Sequence, residues 1–508
     1  MTALPDAVPP PAPIALTLPD EAATVLLGGD LASALAPGDA VALHGDLWAG
    51  KTTLARAILR ALADDPALDV PSPTFTLVQP YPDGRLPALH LDLYRLADPF
   101  EADELGVEDA LLDGVALIEW PERGDIPSTI TIHLAEDGPG RTARITGTVE
   151  AMERVKRSLA VRAMLAEAGA ANAPRRPLSA DAGTRRYEAV ERGDETLLVM
   201  NAPATPDGPP VRDGLPYSRI AHLAEDVAPF VAVANALRAR GFAAPAIHRA
   251  DLDRGLLLVD HLGSGSILDD GGRPIPERYG AVAETLAALH DADWPALMPL
   301  PGGLAHRVPT FDRSAMLIEV ELTLDWAFPR LVGRPAREDE RVDFLAAWNG
   351  ALDALNGAET SLVLRDVQAP NIVWREGAEG IARVGLIDFQ DALIGPAAYD
   401  LASLAQDARV TIPPGFEVEL IETYRAARAR PADPMLDAAY AVMAAQRATK
   451  VFGLWVRLDE RDGKPDYLVH TPRTREYLGR VLPHPALAPV RAWFDAHDLL
   501  ARSARMHP

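Results

Sequence analysis

The chain has 508 residues, enough for several domains at about 100–200 residues each. Its net charge is −24, and residues 1–150 carry eight basic against 24 acidic side chains, so strong direct nucleic-acid binding is not expected. Cysteine is absent, which excludes disulfides and thiol chemistry and fits a cytoplasmic protein. No apolar run reaches the ~18 residues of a membrane span, and residues 1–13 do not have the pattern of a secretory signal, so no membrane association is expected.

The first part of the chain alternates between predicted helices and strands, after a flexible proline-rich N-terminus over residues 1–13. Over residues 14–150 this alternation predicts an α/β domain with a mostly parallel sheet. The predicted elements are helix 21–36, strand 39–43, helix 52–63, strands 86–91, 115–118 and 129–134, and a β-like end over 141–149.

The remainder is predicted to be a helix and linker over residues 151–180, followed by one larger α+β unit. This unit begins with strands and continues mainly as helices. Its predicted elements are strands 185–190 and 196–200, a loop over 201–214, and helices 227–240, 279–289, 343–355 and 438–458.

A glycine-bounded loop joins strand 39–43 to helix 52–63 with the spacing G-x-x-x-x-G-K-[ST]. Such a loop turns backbone N–H groups towards phosphates, and the helix N-terminus adds positive charge. Lys51 would then reach the β- and γ-phosphates of ATP, and the Thr52 hydroxyl would bind Mg²⁺. The predicted nucleotide-binding residues of the loop are Gly45, Asp46, Leu47, Trp48, Ala49, Gly50, Lys51, Thr52 and Thr53.

A metal site of this kind needs an acidic partner at the end of a strand. Two carboxylates qualify, because Asp92 follows the apolar run 86–91 and Glu119 ends the run 115–118. Each of them, taken alone, could equally be a solvated carboxylate in a loop.

Several segments of the first domain occur together in one known family. They are Gly45-Asp46-Leu47, Ser72-Pro73-Thr74-Phe75, Asp92-Leu93-Tyr94-Arg95, Glu104-Leu105-Gly106 and Ile118-Glu119-Trp120-Pro121-Glu122. With these segments, residues 14–150 resemble TsaE, the ATPase subunit of the bacterial threonylcarbamoyladenosine tRNA-modification system. The family's partners are the TsaB and TsaD proteins, so the resemblance implies TsaB- and TsaD-like partners here.

The same resemblance implies roles for individual residues. Asp92 and Glu119 would serve the metal and the hydrolytic water, with Glu119 as the catalytic carboxylate, while Thr74 and Trp120 would lie near the nucleotide. One departure is Trp48, which stands where the family usually has glycine. A bulky residue at this position is expected to crowd the loop or to stack near the nucleotide.

A second motif lies in the C-terminal part, where Asp366 and Asn371 have the D-x-x-x-x-N spacing of a kinase catalytic loop. Strands over 371–375 and 383–387 are predicted to form a hairpin that returns Asp388 to the side of Asn371. Mg²⁺ prefers such oxygen ligands. Asp366 would orient or deprotonate an attacking hydroxyl, while Asn371 and Asp388 would bind the metal.

Further segments extend this pattern to a family. They are Ala182-Gly183-Thr184-Arg185-Arg186-Tyr187, Gly255-Leu256-Leu257-Leu258-Val259-Asp260-His261-Leu262-Gly263, Asp388-Phe389-Gln390-Asp391-Ala392 and Gly395-Pro396-Ala397-Ala398-Tyr399-Asp400-Leu401. The C-terminal part resembles the aminoglycoside phosphotransferase-like kinases, and most of all the AmgK branch, the anomeric kinases of N-acetylmuramate and N-acetylglucosamine in cell-wall recycling. The resemblance implies a two-lobed protein-kinase-like fold, with an N-lobe over 181–262 and a C-lobe over 263–508.

Two departures from that family stand out. Leu364 replaces the histidine that commonly lies two residues before the catalytic aspartate, and the usual lysine of the third strand is missing, with Met200 near its place. Either Arg185 or Arg186 would then support the phosphates, or Mg²⁺ would carry more of the charge.

These observations predict a bifunctional protein that uses ATP and Mg²⁺. An ATPase for tRNA modification would be fused to a kinase that phosphorylates a small amino sugar. Two alternatives remain open at this stage. The acceptor could be an aminoglycoside, choline or another small alcohol, or the C-terminal half could be a degenerate regulatory module that binds ATP without transferring phosphate.

Overall fold

The computed structural model describes residues 11–178, 185–429, 431 and 433–503. Residues 1–10 of the predicted flexible N-terminus and residues 182–184 of the predicted nucleotide-covering turn lie outside the described part. Contacts within the chain group it into two compact units, Met1–Asn201 and Ala202–Pro508. No helix among the described residues is long and apolar enough to cross a membrane.

The first unit contains a seven-stranded sheet in the order β1-β7-β6-β2-β5-β4-β3 and four helices. The sheet strands are β1 (Ile14–Leu18), β2 (Ala40–His44), β3 (Val78–Tyr81), β4 (Ala88–Asp92), β5 (Val115–Glu119), β6 (Ile130–Asp137) and β7 (Gly140–Gly147). The helices are α1 (Glu21–Ala34), α2 (Lys51–Ala63), α3 (Val107–Leu111) and α4 (Val149–Glu167).

The four central strands of this sheet run parallel, and the antiparallel pairings involve the outer strands. Strand β5 shows why the sheet carries helices on both faces. Val115 and Leu117 enter the core beneath α1 and α2, whereas Ala116 and Ile118 enter the core beneath α3. This period of two is that of a strand buried on both sides, and it confirms the predicted α/β domain with a mostly parallel sheet.

Three further strands close the first unit as an antiparallel meander: β8 (Arg175–Pro177), β9 (Arg186–Arg192) and β10 (Glu195–Asn201). Strand β8 lies inside the segment that the sequence predicts as a linker. Its Arg175 side chain is buried and forms an ion pair with Glu188 of β9, with Nε 2.6 Å from the carboxylate. This ion pair orders a stretch whose composition suggests a loop.

The second unit is mainly helical, with short strand pairs. Its strands are β11 (Pro210–Arg212), β12 (Leu215–Pro216), β13 (Ile247–Asp251), β14 (Leu256–Asp260), β15 (Leu297–Pro299), β16 (Ala305–Arg307), β17 (Thr360–Val363), β18 (Ile372–Trp374), β19 (Val384–Leu386) and β20 (Leu393–Pro396). Its helices are α5 (Tyr217–Ile220), α6 (Ala228–Arg238), α7 (Pro276–Asp291), α8 (Arg313–Leu322), α9 (Phe328–Val332), α10 (Glu338–Asp353), α11 (Ala398–Ala405), α12 (Pro414–Ala427), α13 (Leu436–Glu460), α14 (Thr471–Val481), α15 (Ala488–Ala496) and α16 (Leu499–Ser503).

Several predicted boundaries in this unit differ from the structure, and two of them differ most. The stretch 201–214 is not all loop, because β11 pairs with β12 within and just after it. Helix α10 begins at Glu338 rather than at 343, because three acidic residues in its first turn favour the positive end of the helix dipole. Glu340 also accepts a hydrogen bond from the Arg337 backbone N–H at 2.8 Å, which caps the helix.

Candidate functional site

The phosphate loop connects β2 to α2 at the carboxyl edge of the parallel strands. Gly45 and Gly50 have φ of 144° and 101°, a backbone conformation that favours glycine. A β-carbon on Gly45 would also lie only 2.5 Å from the carbonyl oxygen of Leu134. Lys51 is buried, and its Nζ donates hydrogen bonds to the carbonyl oxygens of Gly45 and Asp46 at 2.7 and 2.9 Å. The loop therefore wraps around its own lysine.

The Lys51 ammonium also lies over an aromatic ring, with Nζ 3.6 Å from the centroid of Trp120. Burial lowers the pKa of Lys51, and the carboxylates of Glu119 and Glu122 oppose that shift. Trp120 has a positive φ of 59° and packs against Tyr94, with ring centroids 5.0 Å apart. The structure thus brings Trp120 to the lysine of the phosphate loop.

Glu119 joins the loop to the neighbouring strand. Its carboxylate accepts a hydrogen bond from the Thr52 hydroxyl at 2.8 Å and lies 3.0 Å from Nε2 of His90. Both Glu119 and His90 are buried. Sequence reasoning did not select His90, although its position two residues before Asp92 puts the two side chains on one face of β4.

Asp92 is in register with Glu119 on the adjacent parallel strand, so the two carboxylates lie side by side. It accepts hydrogen bonds from the hydroxyls of Thr74 at 2.5 Å and Ser72 at 3.0 Å and from the backbone N–H of Tyr94 at 3.0 Å. Thr74 is therefore connected to the phosphate-loop site by its hydrogen bond to Asp92. Hydroxyl and carboxylate oxygens of this kind suit Mg²⁺.

The other loop residues divide by exposure. Ala49 is buried and Thr53 half-buried, whereas 55% of Leu47 and 87% of Trp48 is exposed. Trp48 has a positive φ of 73°, where glycine is favoured. Its side chain is directed to solvent, so it does not crowd the loop.

Arg141 is a further cation beside the loop that sequence reasoning missed. It lies at the start of β7, and a β-carbon on Gly50 would come within 2.7 Å of its Nε atom. That Nε is buried without a hydrogen-bond partner among the described residues. Only the β6–β7 hairpin brings this residue to the loop, so no local sequence signal could have identified it.

In the second unit, the three predicted residues Asp366, Asn371 and Asp388 lie around one hairpin. The Asn371 side chain donates to the backbone carbonyl of Asp366 at 2.9 Å. Strand β18 follows Asn371 and pairs with β19, which leads back to Asp388. The pairing ends with a hydrogen bond from the backbone N–H of Ile387, directly before Asp388, to the Asn371 carbonyl at 3.1 Å. Gln390 donates to the Asp388 carboxylate at 3.2 Å. The structure therefore brings Asp366, Asn371 and Asp388 together.

Two buried aspartates hold the backbone of this loop. Asp400 accepts hydrogen bonds from the N–H groups of Leu364 at 2.7 Å and Arg365 at 2.9 Å. Asp407 accepts one from Ala369 at 2.7 Å, and burial raises its pKa. The sequence suggests that Asp400 is a structural cap, which these contacts support, but sequence reasoning missed Asp407.

A buried ion cluster lies directly behind the loop. Glu319 pairs with Arg365 and with Lys450, whose Nζ is 2.7 Å from the carboxylate, and Gln446 donates to it at 2.9 Å. Burial alone would raise the pKa of Glu319, but Lys450 and Arg365 lower it to about 2. One carboxylate is therefore shared by two cations next to Asp366.

The predicted phosphate-supporting arginines belong to the first unit. Arg186 begins β9 and is exposed, and Arg185 precedes it and is half-buried. Met200, near the place of the missing lysine, is buried on β10 opposite Tyr187.

These features define two classes of protein in one chain: a P-loop nucleotide-binding domain and a protein-kinase-like phosphotransferase domain. Residues 18–144 match the family model for "Threonylcarbamoyl adenosine biosynthesis protein TsaE", and residues 174–434 match that for the "Phosphotransferase enzyme family". The chain belongs to both families as a fusion, and it is an ATP-using enzyme.

Two curated relatives cover the two parts of the chain. A Caulobacter vibrioides protein described as N-acetylmuramate/N-acetylglucosamine kinase is 33% identical over 67% of this chain and 97% of its own length. The tRNA threonylcarbamoyladenosine biosynthesis protein TsaE of a Nostoc species is 41% identical over 25% of this chain and 83% of its own length. The solved GDP complex of aminoglycoside 2'-phosphotransferase-IIIa is 14% identical, covering 63% of this chain and 98% of its own, with a TM-score of 0.42.

Proposed function

We propose that the chain is a bifunctional enzyme. Its N-terminal part hydrolyses Mg²⁺·ATP in support of tRNA threonylcarbamoyladenosine formation, together with TsaB- and TsaD-like proteins. Its C-terminal part transfers phosphate from Mg²⁺·ATP to the anomeric hydroxyl of N-acetylmuramate or N-acetylglucosamine in cell-wall recycling. The observation that carries the kinase assignment is the hairpin with Asp366, Asn371 and Asp388, in a chain that covers nearly all of a relative named for those sugars.

In the ATPase part, Lys51 would leave the two carbonyl oxygens that it now contacts and neutralise the β- and γ-phosphates. Thr52, Glu119 and Asp92 would hold Mg²⁺, which supplies charge stabilisation to the transferring phosphoryl group. Glu119 would also orient the attacking water, held in place by its contact with His90. Arg141 would add a second positive charge at the nucleotide, because it lies against Gly50 and its Nε has no hydrogen-bond partner among the described residues.

The partner assignment rests on the family and on charge. The domain carries a large acidic excess, so it is not suited to hold tRNA by itself. A separate protein would then bind the tRNA and carry the transfer chemistry. We infer that this domain supplies ATP turnover to a TsaB- and TsaD-like complex, and its relatives are named for tRNA threonylcarbamoyladenosine biosynthesis.

In the kinase part, Asp366 would accept the proton of the sugar hydroxyl as its oxygen attacks the γ-phosphorus. A new O–P bond forms, the bond to the β-phosphate oxygen breaks, ADP leaves, and the proton passes from Asp366 to water. Asn371 and Asp388 would hold Mg²⁺, and Arg185 or Arg186 would support the phosphates in place of the missing lysine.

The test is ATP turnover with N-acetylmuramate, N-acetylglucosamine, an aminoglycoside or choline as acceptor, followed by ³¹P NMR of the product. Wild type, Lys51→Ala and Asp366→Ala form a matched set, because each variant disables one site. Turnover that depends on an N-acetylated sugar should survive Lys51→Ala and be lost in Asp366→Ala. ATP hydrolysis without an acceptor should instead be lost in Lys51→Ala and survive in Asp366→Ala.

Other results would contradict the assignment in different ways. Turnover with only the aminoglycoside or only choline would show that the acceptor is a cationic alcohol and not an N-acetylated sugar. No turnover with any acceptor, with ATP bound and Lys51-dependent hydrolysis intact, would make the C-terminal half a degenerate ATP-binding module.

A further inference from the structure

One arginine of the second unit forms no ion pair with a described carboxylate, because Asp462, the acid whose charge acts on it, is already paired with Arg461 at 2.7 Å. Arg457 lies on α13, only partly accessible to solvent, and its Nε atom is buried without a hydrogen-bond partner. Burial lowers the pKa of Arg457, the Arg461 charge acts in the same direction, and the Asp462 carboxylate opposes the shift. A buried cation without a counter-charge is costly, and an unsatisfied group of this kind calls for a ligand or another explanation.

The nearest aromatic neighbour of Arg457 is Tyr217 on α5. The guanidinium carbon lies 5.5 Å from the centroid of the Tyr217 ring. Burial and the Glu319 carboxylate raise the pKa of Tyr217 to about 12, so its hydroxyl keeps its proton at neutral pH and can donate a hydrogen bond. A phenol hydroxyl that can donate and a guanidinium whose Nε has no partner among the described residues therefore lie next to each other.

The ion cluster behind the catalytic loop connects this pair to the reaction site. Arg365 donates a hydrogen bond at 2.9 Å to the carbonyl oxygen of Ala221, which ends α5, and Arg365 directly precedes Asp366. Lys450 and Arg457 lie on one face of α13, separated by about two turns or roughly 10 Å.

The close crossing of two helices holds this face of α13 in place. A β-carbon on Gly453, between Lys450 and Arg457, would lie 2.2 Å from a backbone atom of Leu322 at the end of α8. Helix α8 also carries Glu319, so the crossing fixes the lysine and the arginine relative to the cluster beside Asp366.

We propose that Arg457 and the Tyr217 hydroxyl form a carboxylate subsite of the acceptor pocket, which binds the acid group of a monosaccharide acid. This inference rests on the proposed kinase function and deepens it. N-acetylmuramate carries a lactyl carboxylate on its ring, and N-acetylglucosamine lacks it. The subsite would therefore distinguish between the two sugars, because the carboxylate supplies the ion-pair partner that Arg457 lacks, in a charge-assisted hydrogen bond.

The test compares kcat and KM for both sugars in the full chain. In Arg457→Gln the ratio of kcat/KM for N-acetylmuramate to that for N-acetylglucosamine should fall roughly tenfold to hundredfold, mainly through KM for the acid. Arg457→Lys should restore part of the ratio. The matched control is Arg491→Gln, because Arg491 is exposed on α15 and pairs with Asp495 at 3.5 Å, so its loss removes the same charge and should leave the ratio unchanged.

An equal change for both sugars, or an unchanged ratio in a variant that melts like wild type, would overturn the subsite. Failure of the proposed function looks different, because wild type would then turn over neither sugar. In that case calorimetric titration of wild type and Arg457→Gln with N-acetylmuramate tests the subsite directly. Binding that depends on Arg457 would support it, and equal or absent binding in the two proteins would reject it.

Discussion

The guanidinium of Arg141 lies beside the phosphate loop and is expected to strengthen the binding of ATP. Arg141 approaches Gly50 closely enough that any larger residue there would collide with it, and its Nε has no partner among the described residues. A hydrogen bond to a charged group contributes about 1.5–3 kcal/mol. In Arg141→Gln we therefore expect the Kd for ATP to rise about tenfold or more, measured by calorimetry.

Arg144→Gln is the control for that measurement. Arg144 lies on the same strand and is exposed, so its loss removes the same formal charge from the domain without removing a contact at the loop. Equal weakening of ATP binding in the two variants would mean that only the net charge of the domain matters, and Arg141 would then have no direct contact with the nucleotide.

At the scale of elements, the catalytic loop is a short irregular segment held by helix α11. Asp400, on that helix, accepts the backbone N–H groups of Leu364 and Arg365, and it is fully buried. An asparagine there would turn an amide N–H towards a backbone donor, which leaves that donor unsatisfied. In Asp400→Asn we expect a loss of about 1–3 kcal/mol in the free energy of unfolding and a lower kcat of sugar phosphorylation.

Denaturant unfolding and steady-state kinetics measure the two effects. Asp343→Asn is the matched control, because Asp343 is exposed on α10 and its change should leave both quantities as in wild type. A variant Asp400→Asn with wild-type stability and kcat would show that Asp400 does not hold the loop in its active conformation.

Local pattern was sufficient to predict the elements that carry both sites. The phosphate loop is one continuous motif, and Asn371 and Asp388 flank one hairpin with Asp366 a few residues ahead of it, so local spacing predicts that they meet. The contacts that hold these side chains are not local. His90 and Glu119 are 29 residues apart, and Asp407 and Ala369 are 38 apart, so only the folded sheet and helices bring them into contact. Sequence reasoning therefore identified the groups proposed to act but not those that orient them.

At the scale of the whole molecule, the two families meet inside one compact unit. The phosphotransferase match begins at residue 174, yet β8, β9 and β10 belong to the unit that contains the phosphate loop. Asp30 of α1 links the two parts, because its buried carboxylate pairs with Arg162 of α4 at 2.9 Å and with Arg175 of β8 at 2.7 Å. Arg175 pairs in turn with Glu188 of β9.

This link predicts that a change in the ATPase-like part loosens strands of the phosphotransferase part. In Asp30→Asn two cations lose their shared counter-charge, and breaking a buried pair in this way costs about 3–5 kcal/mol. Hydrogen exchange should therefore accelerate in β8 and β9 as well as in α1, and the midpoint of denaturant unfolding should fall. Glu21→Gln, exposed at the start of α1, is the control and should change neither quantity. If faster exchange in Asp30→Asn stayed within α1, the strands would be stable without this ion pair, and a cut between the two families would then leave the kinase part intact.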